Sequence, residues 1–202
     1  MRIGVDFDNT IAGYDALFAA LAGERGLLAE PPRSKRLLRD TLRRREGGEE
    51  DWRGLQSVAY GARMADAELI EGADRFFHAC READAEVFIV SHKTRYSNYR
   101  SDGTDLRRAA LAWLNDNGFF HAAGFGLMPD QVFFEDTRGD KAARIGALGC
   151  EIFVDDLEEL FREPGYPEAA RKILFDPDGC AETDAGVTRC RHWNEITDAV
   201  FG

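Results

Sequence analysis

The 202-residue sequence has no cysteine pair at C-x-x-C spacing, no apolar run of membrane length, no internal repeat and no low-complexity stretch. Its four cysteines, Cys80, Cys150, Cys180 and Cys190, lie far apart, which argues against a disulfide framework. Cys190 and His192 are close together, but no second close pair accompanies them, so a structural zinc site is not expected. A chain without a run of about 20 apolar residues is not expected to span a membrane. Its N-terminal segment, Met1-Arg2-Ile3-Gly4-Val5-Asp6, meets a carboxylate too early for a signal peptide, which makes the cytoplasm the expected location. Positive charge is also in short supply, with 26 Lys and Arg against 37 Asp and Glu, a net charge of −11. The resulting field disfavours nucleic acid and membrane surfaces as partners. A small anionic substrate is compatible with it, because a site can be locally positive or hold a metal. With 44% hydrophobic and 11% aromatic residues the chain can bury a full core, as one domain with room for a small insertion.

Short apolar runs recur at Ile3 to Val5, Val87 to Val90, Val132 to Phe134, Ile152 to Val154 and Ile173 to Phe175. Each ends in polar or charged residues, and their length and content of Val, Ile and Phe suit buried parallel strands. Helical spacing lies between them, over Ala73 to Ala83, Leu106 to Leu114 and Lys141 to Leu148, the last stopped by Gly149. His192-Trp193 is expected to begin a C-terminal helix with Trp193 in the core. Strands alternating with helices predict an α/β protein with a doubly wound, mainly parallel, Rossmann-like sheet.

The stretch from Gly13 to Glu71 breaks the alternation. It offers no convincing strand, a helical pattern through Tyr14 to Leu21, a basic run from Arg33 to Arg45 and a break at Gly47-Gly48. The expected organisation is therefore a catalytic core from residues 1–12 and 72–202, with a small α-helical insertion over 13–71. The basic run reads as a solvated helix, with Leu38 and Leu42 on one side and Lys35, Arg39 and Arg43 on another.

Open α/β sheets bind ligands at the carboxyl ends of their strands. There the sequence places Asp6-Phe7-Asp8-Asn9-Thr10, then Ser91-His92, then Gly139-Asp140-Lys141, then Asp155-Asp156. Carboxylates gathered this closely repel one another unless a cation shares them. Mg²⁺ suits the role because it takes a few hard oxygen ligands and keeps several waters. Phosphoryl transfer uses such a set: a carboxylate forms an aspartyl-phosphate, cations offset the charge of the transferring oxygens, and a second carboxylate moves the proton.

The ordered set Asp6-x-Asp8-x-Thr10, Ser91, Lys141 and Asp155-Asp156 resembles the four motifs of the haloacid dehalogenase-like hydrolase superfamily. The match runs from residue 3 to about 160, with the insertion where that family places its first type of cap. The resemblance implies a nucleophile at Asp6 and a general acid/base at Asp8. It implies Mg²⁺ held by the Asp6 carboxylate, the Asp8 backbone carbonyl and Asp155, with Asp156 acting through water. Ser91 and Lys141 would bind the phosphoryl group, with Asn9, Thr10 and His92 as further phosphate contacts, and Arg144 would be an alternative cation to Lys141. An aspartate at position 8 points to the phosphatase branch, because the dehalogenase and phosphonatase branches lack one there.

The loop after Ser91, from His92 to Arg100, is rich in groups that recognise ligands, and Lys93, Arg95 and Tyr96 are its candidates for substrate specificity. The expected activity is Mg²⁺-dependent hydrolysis of a small phosphorylated metabolite. A phosphomutase or phosphotransferase on the same fold is the alternative, as is a non-catalytic binding or regulatory module.

Overall fold

Arg2–Val5 forms β1, an inner strand of a six-stranded sheet. Its neighbours are β4 (Glu86–His92) and β6 (Ile152–Asp155), outside which lie β5 (Val132–Glu135) on one side and β7 (Arg171–Phe175) and β8 (Val187–Cys190) on the other. The order is β5-β4-β1-β6-β7-β8 and every pairing is parallel, with Val5 opposite Ile89 and Val154. The chain therefore leaves β1 to one side, then returns to build on the other. In open α/β sheets ligands bind at such a reversal, beyond the carboxyl end of the strand where the order switches, here β1. The computed structural model describes residues 1–99, 103–181 and 184–202.

Continuous apolar runs become inner strands because both sheet faces are covered. On one face Phe88, Val90, Phe153 and Leu174 pack with Ala142 and Ile145 of α6 (Arg138–Ala147). Alternation sends Phe175 to the other face, where its ring lies 5.9 Å from that of Trp193 in α7 (Trp193–Phe201). Phe76 of α4 (Ala73–Glu82) meets Trp193 there at 4.9 Å. Gly4 is required by proximity, since a Cβ there would lie 2.3 Å from the Phe153 ring. At Gly149 the need is conformational: φ is +64°, the left-handed turn that ends α6.

Within the same core Tyr166 is buried, and its hydroxyl has no hydrogen-bond partner among the described residues. An unmet buried hydroxyl costs about 1–3 kcal/mol, whereas its ring packs edge-on against Phe161. Tyr166→Phe is therefore expected to keep the melting temperature or raise it by a few degrees in a thermal melt. A clear fall would show that the hydroxyl is satisfied.

The strands expected from apolar runs all form, and His192 caps α7 as anticipated. Helix α6 begins at Arg138, three residues before the expected start. Its cap is Thr137, whose hydroxyl accepts from the Asp140 N–H at 3.0 Å. Strand β8 was not anticipated: it is an edge strand whose Thr188 and Arg189 are exposed, so it carries no apolar run. All four cysteines are free, and burial pushes the Cys80 thiol up to about 12. No described helix is long and apolar enough to cross a membrane.

Contacts divide the chain into two compact units. The first comprises Met1–Ala12, Leu69–Thr94 and Leu114–Gly202, and contains the six-stranded sheet. The second comprises Gly13–Glu68 together with Arg95–Trp113, so it draws on a second segment besides the stretch singled out in the sequence. Short strands β2 (Ala12–Gly13) and β3 (Glu68–Leu69) pair where the chain passes from one unit to the other, and α5 (Leu106–Asp116) also crosses the division.

The second unit contains α1 (Asp15–Glu24), α2 (Lys35–Arg43) and α3 (Gly48–Ala59). Leu17, Phe18 and Leu21 of α1 are buried, as are Leu38 and Leu42 of α2 and Trp52 and Leu55 of α3, and Phe18 stacks on Trp52 at 4.8 Å. Leu38 and Leu42 face inward as the sequence pattern requires. Lys35 does not join the solvated face. Its ammonium donates to the Tyr60 hydroxyl at 2.7 Å and sits 5.3–5.4 Å from the rings of Tyr14, Phe18 and Tyr60. Two cations of the basic run are also paired, Arg39 with Asp40 and Arg43 with Glu49.

Candidate active site

The turn after β1 is fixed from inside. The Asp6 N–H donates to Val154 O at 2.9 Å, extending the β1–β6 pairing by one residue and holding Asp6 at the strand end. Phe7 is fully buried, and its carbonyl accepts from the N–H groups of Ile11 and Ala12. Asn9 takes the left-handed conformation at φ +60°, and its own N–H donates to Ala12 O. That amide is thus consumed by the turn. Thr10 is also buried. Its hydroxyl donates to Asp6 Oδ2 at 3.3 Å, and its carbonyl accepts from Trp193 Nε1 at 3.0 Å. The threonine of the motif therefore ties the nucleophile candidate to the core.

Lys141 lies in the first turn of α6, and its ammonium reaches Asp6 Oδ1 at 2.6 Å and Asp155 Oδ2 at 2.5 Å. Asp6 and Lys141 are each 4% exposed and Asp155 is fully buried. The other Asp155 oxygen accepts from the Leu157 N–H at 2.8 Å. Burial alone would lower the lysine, but contact with Asp155 and Asp6 outweighs it and holds the ammonium well above the ordinary lysine range. For Asp155 the balance falls the other way. Burial and the neighbouring Asp6 raise its carboxyl, and the shared ammonium only partly offsets them. One cation is serving two carboxylates in dry surroundings.

One carboxylate oxygen from each of Asp6, Asp155 and Asp156 lies within 4.8 Å of the other two. All three donors are hard oxygens, and Lys141 leaves the group net negative, so the residues fit a divalent cation of the Mg²⁺ type.

The Asp8 carboxylate is not in that cluster. It pairs with Lys93, whose ammonium lies 3.0 Å from Oδ1 and 2.8 Å from Oδ2 and 5.5 Å from the Phe7 ring centre. Lys93 is 4% exposed although it follows the last residue of β4. Alternation explains this: Ser91 and Lys93 turn inward, and His92 between them is exposed. Ser91 is buried opposite Phe134 of β5. His92 has its Nε2 3.0 Å from Asp136 O on the exposed side, and does not join Asp6, Lys141 and Asp155. Arg144 pairs with Glu135 at 2.7 Å and covers the Phe133 ring, which leaves Lys141 as the cation of the cluster.

The specificity candidates separate. Lys93 belongs to the first unit, whereas Arg95 and Tyr96 belong to the second. There Arg95 bonds Asp105 at 2.8 Å and lies 5.5 Å from the Tyr96 ring. Tyr99 of the same loop lines a cavity of about 590 Å³ within that unit, alongside Arg25, Glu50 and Asp51, and its hydroxyl donates to Glu50 at 2.8 Å. Arg100 lies outside the described residues.

No family model and no curated protein sequence matches the chain. Solved structures do. A HAD-superfamily hydrolase from Ehrlichia chaffeensis superposes with a TM-score of 0.59 at 13% identity, over 98% of this chain and 95% of that one. The chain has the fold of the haloacid dehalogenase-like hydrolases. A phosphoserine phosphohydrolase-like protein from Francisella tularensis is also similar, with a TM-score of 0.56 at 10% identity over 99% of both chains. So is a HAD family hydrolase from Deinococcus radiodurans, solved with bound phosphate and sodium, with a TM-score of 0.50 at 15% identity over 98% and 94%. Identities this low carry the fold and no more.

Proposed function

We propose that the chain is a haloacid dehalogenase-like phosphatase, hydrolysing a small phosphomonoester with Mg²⁺ through an aspartyl-phosphate on Asp6. The observation that carries this reading is the buried contact of one ammonium, Lys141, with two carboxylates, Asp6 and Asp155, at the carboxyl ends of adjacent strands. A fold gains nothing in stability from such a cluster that an apolar core would not supply, so chemistry is the better reason for it. The phosphate bound in the Deinococcus hydrolase supports the same class of ligand.

In this reading an Asp6 oxygen attacks phosphorus and the ester P–O bond breaks, its electron pair leaving with the alcohol oxygen. Asp8 gives that oxygen a proton. Water then attacks the phosphorus, Asp8 takes the water's proton, and the bond between phosphorus and the Asp6 oxygen breaks to release inorganic phosphate. Lys141 and Ser91 hold the phosphoryl oxygens. Asp6, Asp155, Asp156 and the Asp8 backbone carbonyl would hold Mg²⁺, which supplies positive charge that lets one anion approach another.

The direct test is release of inorganic phosphate from p-nitrophenyl phosphate and from a panel of phosphorylated metabolites. Activity is expected with Mg²⁺, loss of it with EDTA, and recovery when Mg²⁺ is restored. Adding an alcohol distinguishes the alternative, since a phosphotransferase would divert phosphate to the acceptor and release less of it. Failure to release phosphate from any member of the panel, with and without acceptor, would sink the enzymatic reading.

A further inference from the structure

Lys93 is a buried cation that the proposed chemistry does not use. The Asp6–Lys141–Asp155 cluster accounts for the other buried lysine, and Lys93 instead has both Asp8 oxygens within 3.0 Å. A lone ammonium in a largely apolar setting is costly, and a desolvated pair is held together far more tightly than an exposed one. The backbone around it is fixed as well: the Lys93 N–H donates to Glu135 O at 2.9 Å, continuing the β4–β5 pairing past His92. The Asp8 side chain is 19% exposed, against 3% for that of Lys93. The Asp8 backbone is bridged to Ala12, which fixes its Cα but not its carboxyl group.

The geometry points to Lys93 as the positioning residue for Asp8, holding its carboxyl group in the one orientation from which it exchanges a proton with the leaving oxygen and then with water. This deepens the phosphatase reading and rests on it. It removes Lys93 from the specificity determinants, where the sequence placed it, because an ammonium engaged with both oxygens of Asp8 is not one that selects between substrates. Lys93 forms no bond to substrate in this account; it acts through Asp8.

Leaving-group dependence separates positioning from general damage. A p-nitrophenolate leaves without being protonated, whereas an alkoxide needs the proton from Asp8. For Lys93→Met, kcat/KM, which reports the step that expels the leaving group and not the later attack of water, is expected to fall by about 10²-fold or more on an alkyl phosphate and by less than about tenfold on p-nitrophenyl phosphate. Asp8→Asn should show the same split, and Lys93→Met added to Asp8→Asn should cost little further, since the two act as one unit. Lys93→Gln provides a second, smaller substitution if the Met variant folds poorly.

Equal losses of kcat/KM on both esters, additive losses in the double variant, or a rise in KM with kcat unchanged would overturn the assignment. So would wild-type rates in both Lys93 variants. Asp6→Asn is run alongside them. If it keeps activity, or if the wild type hydrolyses neither ester, the phosphatase reading itself fails, a result distinct from failure of the Lys93 assignment alone.

Discussion

Asp6→Asn is expected to abolish phosphate release while leaving the fold intact. Removing a covalent nucleophile costs on the order of 10⁴–10⁶-fold in kcat, because no other group stands where the new bond must form. Structure should survive, since asparagine keeps the shape, and its side-chain oxygen can still accept from Lys141 where Asp6 Oδ1 now does, at 2.6 Å. Lys141 also retains Asp155 as a partner at 2.5 Å. The exchange removes one of two carboxylates that compete for a single ammonium, so the melting temperature should stay within about 3 °C of wild type, the shift that roughly 1 kcal/mol makes in a chain of this size. The pairing of results is the test. Lost activity with lost structure says nothing about the nucleophile, whereas retained activity with retained structure rules Asp6 out.

How much of this could be read from the residues depended on whether a signal was local. Apolar runs such as Ile152 to Val154 mark inner strands because both sheet faces bury them. Asp6, Lys141 and Asp155 could be grouped from the sequence because each lies at a strand end or in the first turn of a helix, and parallel topology delivers those ends to one edge. Thr10 came out differently in kind, bonded to Asp6 rather than simply available to a phosphate. What escaped had no local mark. Strand β8 forms as an edge, with two of its four residues exposed. Lys93 sits in a run of polar residues that reads as a surface loop, and only continued alternation past Ser91 turns it inward to Asp8. Lys35 is similar, since its aromatic surroundings come from Tyr14, Phe18 and Tyr60, on residues far apart in sequence. The place of Arg95–Trp113 with Gly13–Glu68 rests on long-range contacts such as the Trp113 indole donating to Ala67 O at 2.8 Å. No periodicity announces those.

Lys141→Met should cost stability as well as activity, and here the two can be separated by a cation. The substitution keeps the length and most of the volume of the side chain but removes the ammonium that Asp6 and Asp155 share. Two buried carboxylates are then left facing each other, with the Leu157 N–H still donating to Asp155. Breaking a buried ion pair by deleting one partner typically costs about 3–5 kcal/mol, which for a chain of this size is on the order of 10 °C in melting temperature. Measured in EDTA, the variant should melt lower than wild type by that amount. Adding Mg²⁺ should then recover more of the loss than it adds to wild type, because a divalent cation restores the missing charge among Asp6, Asp155 and Asp156, while the wild-type cluster is already partly neutralised. Activity should not return with the stability. A bound cation offsets the carboxylates, but it does not replace the lysine donor proposed to hold the phosphoryl oxygens. A variant as stable as wild type in EDTA, and indifferent to Mg²⁺, would mean that the three carboxylates do not depend on Lys141 and do not gather a metal.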